Sequence, residues 1–579
     1  MDEIRQLIDE IEACFRKYDS IQLMGAIGLR LLANLPNMER QFYQDVCGIE
    51  VKYDEAAETI AEYAMNFGLS MTNDGKAVPT DEIADWLYNS LKKLRDAYAI
   101  ADMPNDGDSE KWFTWIAHSN LISVRGDGYM VHFEEVFKEM FVPHTAFFEA
   151  EYGFSVQQFL DFCTHIEERI ICKIGNQNEI YGASLLHERW KKWEEEHFGD
   201  LNNPNYFENR DFSKGMFGEF FEANPDVGHT EDFQQFLLFD PGDYTMSDRI
   251  FWVYPQNQAE ANILEALSSR FGDNAAFIKE GEYKGNIMNG KCIFDRPILK
   301  DGNKYYCFTP LLVYRNLFLI AENLIKKNPR YYNEKFAANT APESRDNYVE
   351  RKVKSQFEKF LPGVKFYSSV TYPITVNGKS ERAELDILGV SDYATYIIEV
   401  KAHELTHKDR VGIKGLKDKF LGSVTEACRQ SERAKTYIAT VESPVFGSKE
   451  GEIKIDRNKP VFKIAVTFQH YAVLLGHMQG LLDLGLMEEE HRNTWIVSLY
   501  DLMVVSDYCK DERDFLLYLY LHNDIASKNI SWMDELDIFG QYLNNNLAQT
   551  ISTVDDTMII GGSEFFDEEY SKRFKLKVK

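Results

Sequence analysis

The sequence predicts a multidomain protein of α and α/β class, with a helical N-terminal half, a mixed middle segment and a C-terminal α/β domain. The chain has 579 residues, 44% of them hydrophobic, which is enough for roughly four domains of ordinary size. Apolar side chains recur at helical spacing through the first 200 residues. Beyond residue 341 a helix, a pair of strands, a third strand and another helix follow in order, which is typical of an α/β unit.

Charge and cysteine usage exclude several functional classes. The chain holds 64 basic and 93 acidic residues, for a formal charge of −29, so it is neither a nucleic-acid coat protein nor a basic membrane binder. None of the eight cysteines forms a CxxC pair, which favours reduced thiols over a disulfide framework or a zinc ribbon. The acidic N-terminus is unlike a signal peptide, and no apolar run approaches the ~18 residues of a membrane span. We therefore expect a cytoplasmic protein without a membrane partner.

Residues 1–200 are predicted to form a helical scaffold or sensor region. Ile4, Ile8, Ile11 and Phe15 mark the apolar face of its first helix. The region shows no catalytic constellation, so we expect it to restrain or target a C-terminal activity. Its helical faces also offer a surface for a partner protein or for self-association.

Residues 201–340 are predicted to be a mixed α+β segment. The apolar runs 249–255 and 305–314 are typical of strands, and residues 317–327 have a helical pattern. At the other end of the chain, residues 526–579 are predicted to be a C-terminal extension that ends in a basic tail.

The clearest pattern of elements lies in residues 341–525. The first two strands are joined by Asn377-Gly378, which is a strong hairpin signal. The predicted elements are a helix at 344–360, strands at 365–376, 381–390 and 394–401, a helix at 415–440, strands at 461–468 and 494–499, and a helix at 501–523.

The second strand of the hairpin carries acidic residues among apolar ones. Side-chain alternation predicts that Glu384 and Asp386 lie on one face of this strand. Leu385 and Ile387 then lie together on the other face. Burying a carboxylate in an apolar sheet is costly unless it is compensated, so Asp386 is a candidate metal ligand.

The third strand also carries charges, a glutamate and a lysine. Glu399 and Lys401 share one face of this strand, opposite Val400. Asp386 and Glu399 would supply hard oxygen ligands for Mg²⁺, and the backbone carbonyl of Val400 would complete the set. Lys401 would orient or activate a metal-bound water, or stabilise the charged transition state. The pattern predicts metal-dependent chemistry on a phosphate.

The pattern of Asp386 followed by Glu399-Val400-Lys401 resembles the motif of the PD-(D/E)XK nuclease superfamily. The distribution of hydrophobic residues in the domain is similar to that of the NERD-like branch of this superfamily. The resemblance covers about residues 341–525. It implies a restriction-endonuclease-like fold, Mg²⁺ or Mn²⁺ as cofactor, and endonucleolytic hydrolysis of phosphodiester bonds in nucleic acid, with DNA favoured over RNA. It also suggests a place in restriction or anti-phage defence.

The same resemblance assigns further residues. Family members carry a glutamate on the helix before the sheet, which Glu350 matches, with Glu343 as the alternative. A glutamine on the helix after the third strand is common, and Gln430 matches it and would position phosphate or water. Leu385 stands where the family motif has a proline. The implied catalytic set is Glu350, Asp386, Glu399, Lys401 and Gln430, and Glu350 also joins the metal ligands.

Local charge favours a polyanionic substrate at this domain. Residues 341–440 hold 17 lysines and arginines against 14 aspartates and glutamates, although the whole chain is strongly acidic. Nucleic acid would be drawn to this region and repelled elsewhere. The predicted nucleic-acid contacts are Lys408, Arg410, Lys414, Lys417 and Lys419.

A zinc metallopeptidase is the alternative, because residues 403–407 read HELTH, a literal HExxH sequence. On a helix, His403 and His407 would bind zinc and Glu404 would polarise water, with Glu426 or Glu432 as a third ligand. The preceding run TYIIEV favours a strand over a helix. A further alternative is a catalytically silent nuclease-like module that binds nucleic acid or protein. The complete set of carboxylates and lysine favours nuclease chemistry over both.

Overall fold

The computed structural model of the chain describes most of its residues, with gaps. The described residues are 2–33, 56–101, 103, 109–123, 128–175, 190, 192–199, 218–223, 250–281, 284–376, 379–403, 405, 409, 413–471, 474–528, 530–553, 558–559 and 561–573. The predicted hairpin turn at Asn377-Gly378 lies outside them.

The N-terminal half is helical, which confirms the prediction. Ile4, Ile8, Ile11 and Phe15 of the first helix are all buried, so its apolar face packs inward. No helix within the described ranges is long and apolar enough to cross a membrane. Within the described residues, the helices of this half are Asp2–Lys17, Ser20–Ala33, Ala57–Gly68, Asp81–Ala101, Ser109–Ser123, Met130–Phe141, Thr145–Tyr152 and Val156–Gly175. A further helix, Gly218–Ala223, belongs to the middle segment.

The middle segment combines short helices with a small sheet. Its strands are β1 (Ser268–Ser269), β2 (Ile298–Asp301) and β3 (Lys304–Tyr306), and its helices are Gln258–Ala266, Lys291–Asp295, Pro310–Arg315, Leu317–Lys326 and Pro329–Tyr331. The strand predicted at 249–255 is wrong, because only an isolated bridge from Trp252 to Tyr306 forms there. The strand predicted at 305–314 is wrong beyond Tyr306. Pro310 begins a helix instead, and proline is favoured in a first helical turn because no N–H is needed there.

A seven-stranded sheet organises the C-terminal domain, which confirms its α/β class. Strands β10, β9 and β6 are parallel to one another, and the other neighbours are antiparallel. The carboxyl ends of the three parallel strands therefore meet at one edge of the sheet. The strands are β4 (Lys365–Val376), β5 (Lys379–Val390), β6 (Thr395–Lys401), β7 (Val445–Ser448), β8 (Gly451–Lys454), β9 (Val461–Thr467) and β10 (Thr494–Ser498), in the order β10-β9-β6-β5-β4-β7-β8.

Helices cover both faces of this sheet. The helix Arg345–Phe360, here called the leading helix, packs in the same buried cluster as Ile398 of β6. The helix Glu426–Thr440, here called the crossing helix, packs in a second cluster with Ile397. β6 is buried on both faces, which explains why β-branched and aromatic residues predominate in it and makes its two charged residues exceptional.

The predicted helix at 415–440 forms with one irregularity. The helix Ile413–Phe420 continues into the crossing helix through a π-helical stretch, Leu421–Thr425. A π-bulge of this kind inside an α-helix is often found beside a functional site. Met478–Asp483 is a short further helix of the domain.

The predicted helix at 501–523 is wrong as a single element. The structure has two helices, Leu499–Tyr508 and Glu512–Ser527. Asp511 separates them, because its side chain accepts hydrogen bonds from backbone N–H groups at the start of the second helix. An aspartate that caps a helix N-terminus in this way is a start signal that the sequence contained.

The C-terminal extension packs against the remainder of the chain. One continuous cluster of buried side chains runs from Ile4 in the first helix to Tyr570 in the last. The helical half and the sheet domain therefore share a core. The extension contains the helices Glu535–Leu543, Leu547–Thr553 and Glu564–Arg573 and the parallel strands β11 (Ser531–Trp532) and β12 (Met558–Ile559).

Candidate active site

The ladder of backbone hydrogen bonds between β5 and β6 ends at the predicted site, and the gap beyond it is here called the opening. Backbone pairing ends at Ile387 with Ile398, one position before Asp386 and Glu399. The N–H of Val400 donates instead to Asp386 Oδ2, at 2.8 Å. Because backbone N–H groups in a sheet must find acceptors, the aspartate side chain replaces the missing main-chain partner. This bond fixes its carboxylate at the opening.

The side-chain alternation predicted for β5 is wrong at Asp386. Leu385 packs in the cluster of the crossing helix, whereas Ile387 packs in the cluster of the leading helix. Ser369 of β4 stands opposite Asp386, is left out of the pairing and has a φ of +50°. Both strands change phase at this position, while the register between them stays the same on either side. A non-glycine residue with positive φ is strained, and such positions cluster at active sites.

Glu399 lies in the interior of the opening and is only 2% exposed. Its Oε1 atom is buried and has no hydrogen-bond partner among the described residues. Burial and then the charge of Asp386 raise the pKa of Glu399 well above its usual range, while Lys401 opposes the shift. Two neighbouring carboxylates with an unsatisfied oxygen require a proton or a cation between them.

Lys401 lies on the same side of β6 as Glu399, as predicted. Its Nζ donates to Gln430 Oε1 of the crossing helix at 2.6 Å and lies 3.9 Å from Glu399 Oε2. The lysine side chain is 18% exposed, so its stem is packed while its ammonium group is held at the opening. The structure thus brings Glu399, Lys401 and Gln430 together.

Glu350 borders the carboxylate pair from the leading helix. Burial raises its pKa to about 7, and Asp386 adds to the increase. Among the residues that the structure describes, Glu350, Asp386 and Glu399 do not form a trio whose ligand atoms all lie within 4.8 Å of one another. Glu350 is therefore an outer member of the site. The alternative residue Glu343 faces elsewhere, because its Oε1 accepts from Lys335 Nζ at 3.0 Å.

Arg433 is a residue of this site that sequence reasoning missed. It follows Gln430 by three residues on the crossing helix, and its charge lowers the pKa of Glu399. Its Nε donates to Tyr372 OH at 3.2 Å, which holds the guanidinium beside the sheet. Residues three apart on a helix lie on one side, so the position of Gln430 could have indicated Arg433.

The predicted nucleic-acid contacts are only partly described. Lys408 and Arg410 lie outside the described residues. Lys414 is exposed in the first turn of the helix Ile413–Phe420, so it is available to a phosphate.

The last two predicted contacts, Lys417 and Lys419, are partly buried. Lys417 Nζ donates to Glu110 Oε1 at 2.6 Å, from a lysine side chain that is 20% exposed. Lys419 is half-buried, and burial lowers its pKa although Asp409 opposes the shift. An acidic residue of the helical half therefore pairs with Lys417, and its contact with nucleic acid stays a prediction.

The HExxH segment does not start as a helix. His403, two residues after β6, and Leu405 both have a non-helical conformation. Glu404 and His407 lie outside the described residues. The helical context that a zincin requires is thus missing at the two positions of the segment that are described.

The residues considered as third zinc ligands have other partners. Glu432 Oε2 accepts from Lys463 Nζ at 2.5 Å. Glu426 Oε2 accepts from Arg429 Nη1 at 2.8 Å on the same helix. These contacts account for both carboxylates without a metal.

No protein-family model, curated protein or solved structure matches the chain. We therefore infer the chemistry of the site from its own geometry. That geometry comprises a broken strand ladder, two neighbouring carboxylates, a lysine held by a glutamine, and an arginine on the same helix.

Proposed function

We propose that the C-terminal domain is a metal-dependent nuclease that hydrolyses phosphodiester bonds in nucleic acid, with DNA as the favoured substrate. The observation that carries the proposal is the pair Asp386 and Glu399 at the opening of the β5–β6 ladder, with Lys401 on the same face. Carboxylates buried this closely have no structural benefit in an apolar sheet. They are useful where a cation and a phosphate must be held together.

The residues present fit a divalent cation of the Mg²⁺ or Mn²⁺ type. Glu399 has a buried oxygen without a partner among the described residues, and the charge of Asp386 raises the pKa of Glu399. Both features favour a bound cation, because hard oxygen ligands suit Mg²⁺. Asp386, Glu399 and the Val400 carbonyl would hold the ion, with Glu350 at the border. When bound, such an ion makes water a better nucleophile and neutralises charge on phosphate.

The chain's own side chains supply the remaining chemistry. Gln430 holds the Lys401 ammonium group by accepting a hydrogen bond at 2.6 Å. Lys401 then presents a positive charge beside Glu399, where it can orient water or stabilise negative charge on the phosphate in the transition state. Arg433 adds a second fixed cation whose charge acts on Glu399. A lysine that is already held in place loses little entropy when the substrate binds.

The substrate class follows from the charges around the site. Lys414 is exposed on the helix Ile413–Phe420, and the charges of Lys419 and Lys401 both act on His403, which follows β6. A polyanion would therefore be attracted to this region of an otherwise acidic chain. We place the activity in restriction or anti-phage defence, which would make the protein a cytoplasmic one.

The helical N-terminal half would restrain or target this nuclease. The helix Ser109–Ser123 brings Phe113 and Ile116 into a buried cluster with Leu416 of the basic helix Ile413–Phe420. A docked helix at this place limits access to the lysines that would bind nucleic acid. Partner binding or self-association through the helical half would change that access.

The test is a cleavage assay on the full-length chain. Supercoiled plasmid, linear duplex, single-stranded DNA and RNA are each incubated with Mg²⁺, Mn²⁺ or EDTA. We expect cleavage that requires the metal and is faster on DNA than on RNA. Asp386→Asn, Glu399→Gln and Lys401→Ala should each reduce the rate by about 10²-fold or more, as expected for direct participants.

Glu381→Gln is the matched control. Glu381 is exposed on the same strand as Asp386, so its substitution changes the charge without touching the opening. Circular dichroism confirms that each variant is folded. Full activity of folded Glu399→Gln overturns the assignment, and nucleic-acid binding without cleavage in any metal indicates a catalytically silent module instead.

A further inference from the structure

A second cluster of metal-ligating side chains lies at the carboxyl edge of the sheet. It consists of His470, three residues after β9, Asp501 in the first turn of the helix Leu499–Tyr508, and Asp534, which caps the helix Glu535–Leu543. One ligand atom from each residue lies within 4.8 Å of the other two. Within the described ranges, no other three His, Cys, Asp or Glu side chains have ligand atoms this close to one another.

The three side chains are buried or half-buried, and both carboxylates are oriented by hydrogen bonds. His470 and Asp501 are 8% and 4% exposed. Ser498 Oγ donates to Asp501 Oδ2 at 2.8 Å, and Asp534 Oδ1 accepts from the Leu536 N–H at 2.9 Å. Outer hydrogen bonds of this kind fix the direction of carboxylate ligands in metal sites.

Asp534 caps its own helix, and Asp501 accepts from Ser498, the cap of the other helix, but neither role explains why the two carboxylates converge. Either helix N-terminus would be satisfied by its own polar residue wherever that end lay in the fold. Here the carboxylates of Asp501 and Asp534, from two separate helices, meet the same imidazole. Ligand atoms of the two carboxylates lie within 4.8 Å of each other, where they repel, and a cation bound between them and the imidazole would relieve that repulsion.

We propose that His470, Asp501 and Asp534 bind a divalent metal ion of the zinc class, which clips the C-terminal extension to the sheet. An imidazole nitrogen with carboxylate oxygens suits Zn²⁺, whereas Mg²⁺ and Ca²⁺ prefer oxygen ligands alone. Tetrahedral bonds of 2.0–2.1 Å to zinc place neighbouring ligand atoms about 3.3 Å apart. His470 Nε2 and Asp501 Oδ2 are 3.3 Å apart in the structure.

The site joins three separate parts of the chain. His470 comes from the segment after β9, Asp501 from the helix after β10, and Asp534 from the extension. A metal there would fasten residues 530–553 to the sheet edge, and three protein ligands would leave a coordination position for water.

A neighbouring pair supplies a matched control of the same chemistry. His522 Nε2 lies 3.3 Å from Glu535 Oε2, and Glu535 Oε1 accepts from Trp495 Nε1 at 2.6 Å. Like His470, His522 is a buried imidazole beside a carboxylate, but the described residues place no third ligand with it.

The test is zinc binding by the full-length, tag-free chain. Equilibrium dialysis against Zn²⁺ with elemental analysis gives the stoichiometry, and thermal unfolding is followed in parallel. We expect one zinc per chain and a higher Tm when zinc is returned to EDTA-treated protein. His470→Gln and Asp534→Asn should remove both effects. Asparagine caps helices as well as aspartate does, so Asp534→Asn removes a ligand while it keeps the cap.

Two further variants separate this site from other zinc ligands. His522→Gln removes the matched imidazole and Glu399→Gln removes a carboxylate of the candidate active site, and both should retain the zinc. The proposal is overturned if the wild-type chain binds no zinc, or if Asp534→Asn binds as much zinc as wild type. Loss of zinc in His522→Gln equal to that in His470→Gln would also overturn it.

Discussion

The N–H of Val400 donates to Asp386 Oδ2 at 2.8 Å, at the point where the backbone ladder between their strands has ended. This bond ties the aspartate to the strand that carries Glu399, so the two carboxylates are held near each other. The arrangement opposes stability, because it brings like charges into a buried place. Active sites commonly sacrifice stability in this way.

Glu399→Gln should stabilise the metal-free protein while it abolishes cleavage. A neutral amide removes the repulsion with Asp386 that raises the pKa of Glu399. We expect the free energy of unfolding in EDTA to rise by about 1 kcal/mol, the equivalent of a one-unit pKa shift, as measured by urea denaturation. Glu381→Gln should change neither property. A Glu399→Gln protein less stable than wild type would contradict this interpretation of the pair.

Gln430→Ala should impair Lys401 without removing it. The glutamine holds the lysine Nζ at 2.6 Å, so its loss should lower kcat by roughly tenfold, as expected when a supporting contact is removed, and leave KM nearly unchanged. Steady-state kinetics on duplex DNA give both constants. Arg429→Ala is the control, because Arg429 is an exposed neighbour on the same helix. An unchanged kcat in Gln430→Ala would show that Lys401 needs no such support.

Releasing Lys417 should strengthen nucleic-acid binding. Glu110 accepts from Lys417 at 2.6 Å, and its own side chain is 70% exposed. Exposed pairs of this type are worth at most about 1 kcal/mol, so Glu110→Ala should tighten DNA binding by no more than about fivefold. Lys417→Ala should weaken binding and lower the slope of log K against log salt by about one.

Fluorescence anisotropy at several salt concentrations measures both effects. Lys449→Ala is the control, since Lys449 is exposed between β7 and β8 at the far edge of the sheet. An equal loss of affinity in Lys449→Ala and Lys417→Ala would show that nucleic acid has no preference for the region around Lys417.

Asp507 should make the stability of the fold depend on pH. It accepts from Tyr570 OH at 2.8 Å and lies 3.5 Å from His132 Nε2, with Lys359 and Arg573 also paired to it. Burial alone would raise the pKa of Asp507, but these contacts hold it well below its usual range. A carboxyl with a lowered folded pKa stabilises the fold above its unfolded pKa of about 3.9, and this contribution is lost as the pH falls.

Asp507→Asn should therefore lower the free energy of unfolding by about 1–3 kcal/mol at neutral pH. The difference from wild type should shrink as the pH falls below about 4. Urea denaturation across the pH range measures it, with the exposed Asp392→Asn as control. A difference that stays constant down to the lowest pH would mean that the Asp507 charge is not what stabilises the fold.

The strand that carries the site could be predicted from the sequence because its neighbours are so apolar. β6 is buried on both faces, and a glutamate and a lysine within such a run stand out. The phase change at Asp386 could not be predicted, since it depends on Ser369 in the adjacent strand.

Contacts between distant parts of the chain were also beyond sequence reasoning. Lys417 and Glu110 are 307 residues apart, and no local pattern relates them. The trio of His470, Asp501 and Asp534 has no motif spacing, because three separate elements deliver its members. The helix that begins at Pro310 was different, since its proline was a signal present in the sequence.

The initial rate of plasmid cleavage against Mg²⁺ concentration tests the central claim most directly. The full-length chain and its Glu399→Gln variant are measured side by side, with EDTA as the zero point. The wild-type rate should rise from zero to a plateau as Mg²⁺ fills the site between Asp386 and Glu399, while the folded variant stays inactive at every concentration. Cleavage in EDTA, or a variant that follows the wild-type curve, would contradict the assignment of this site as a metal-dependent nuclease centre.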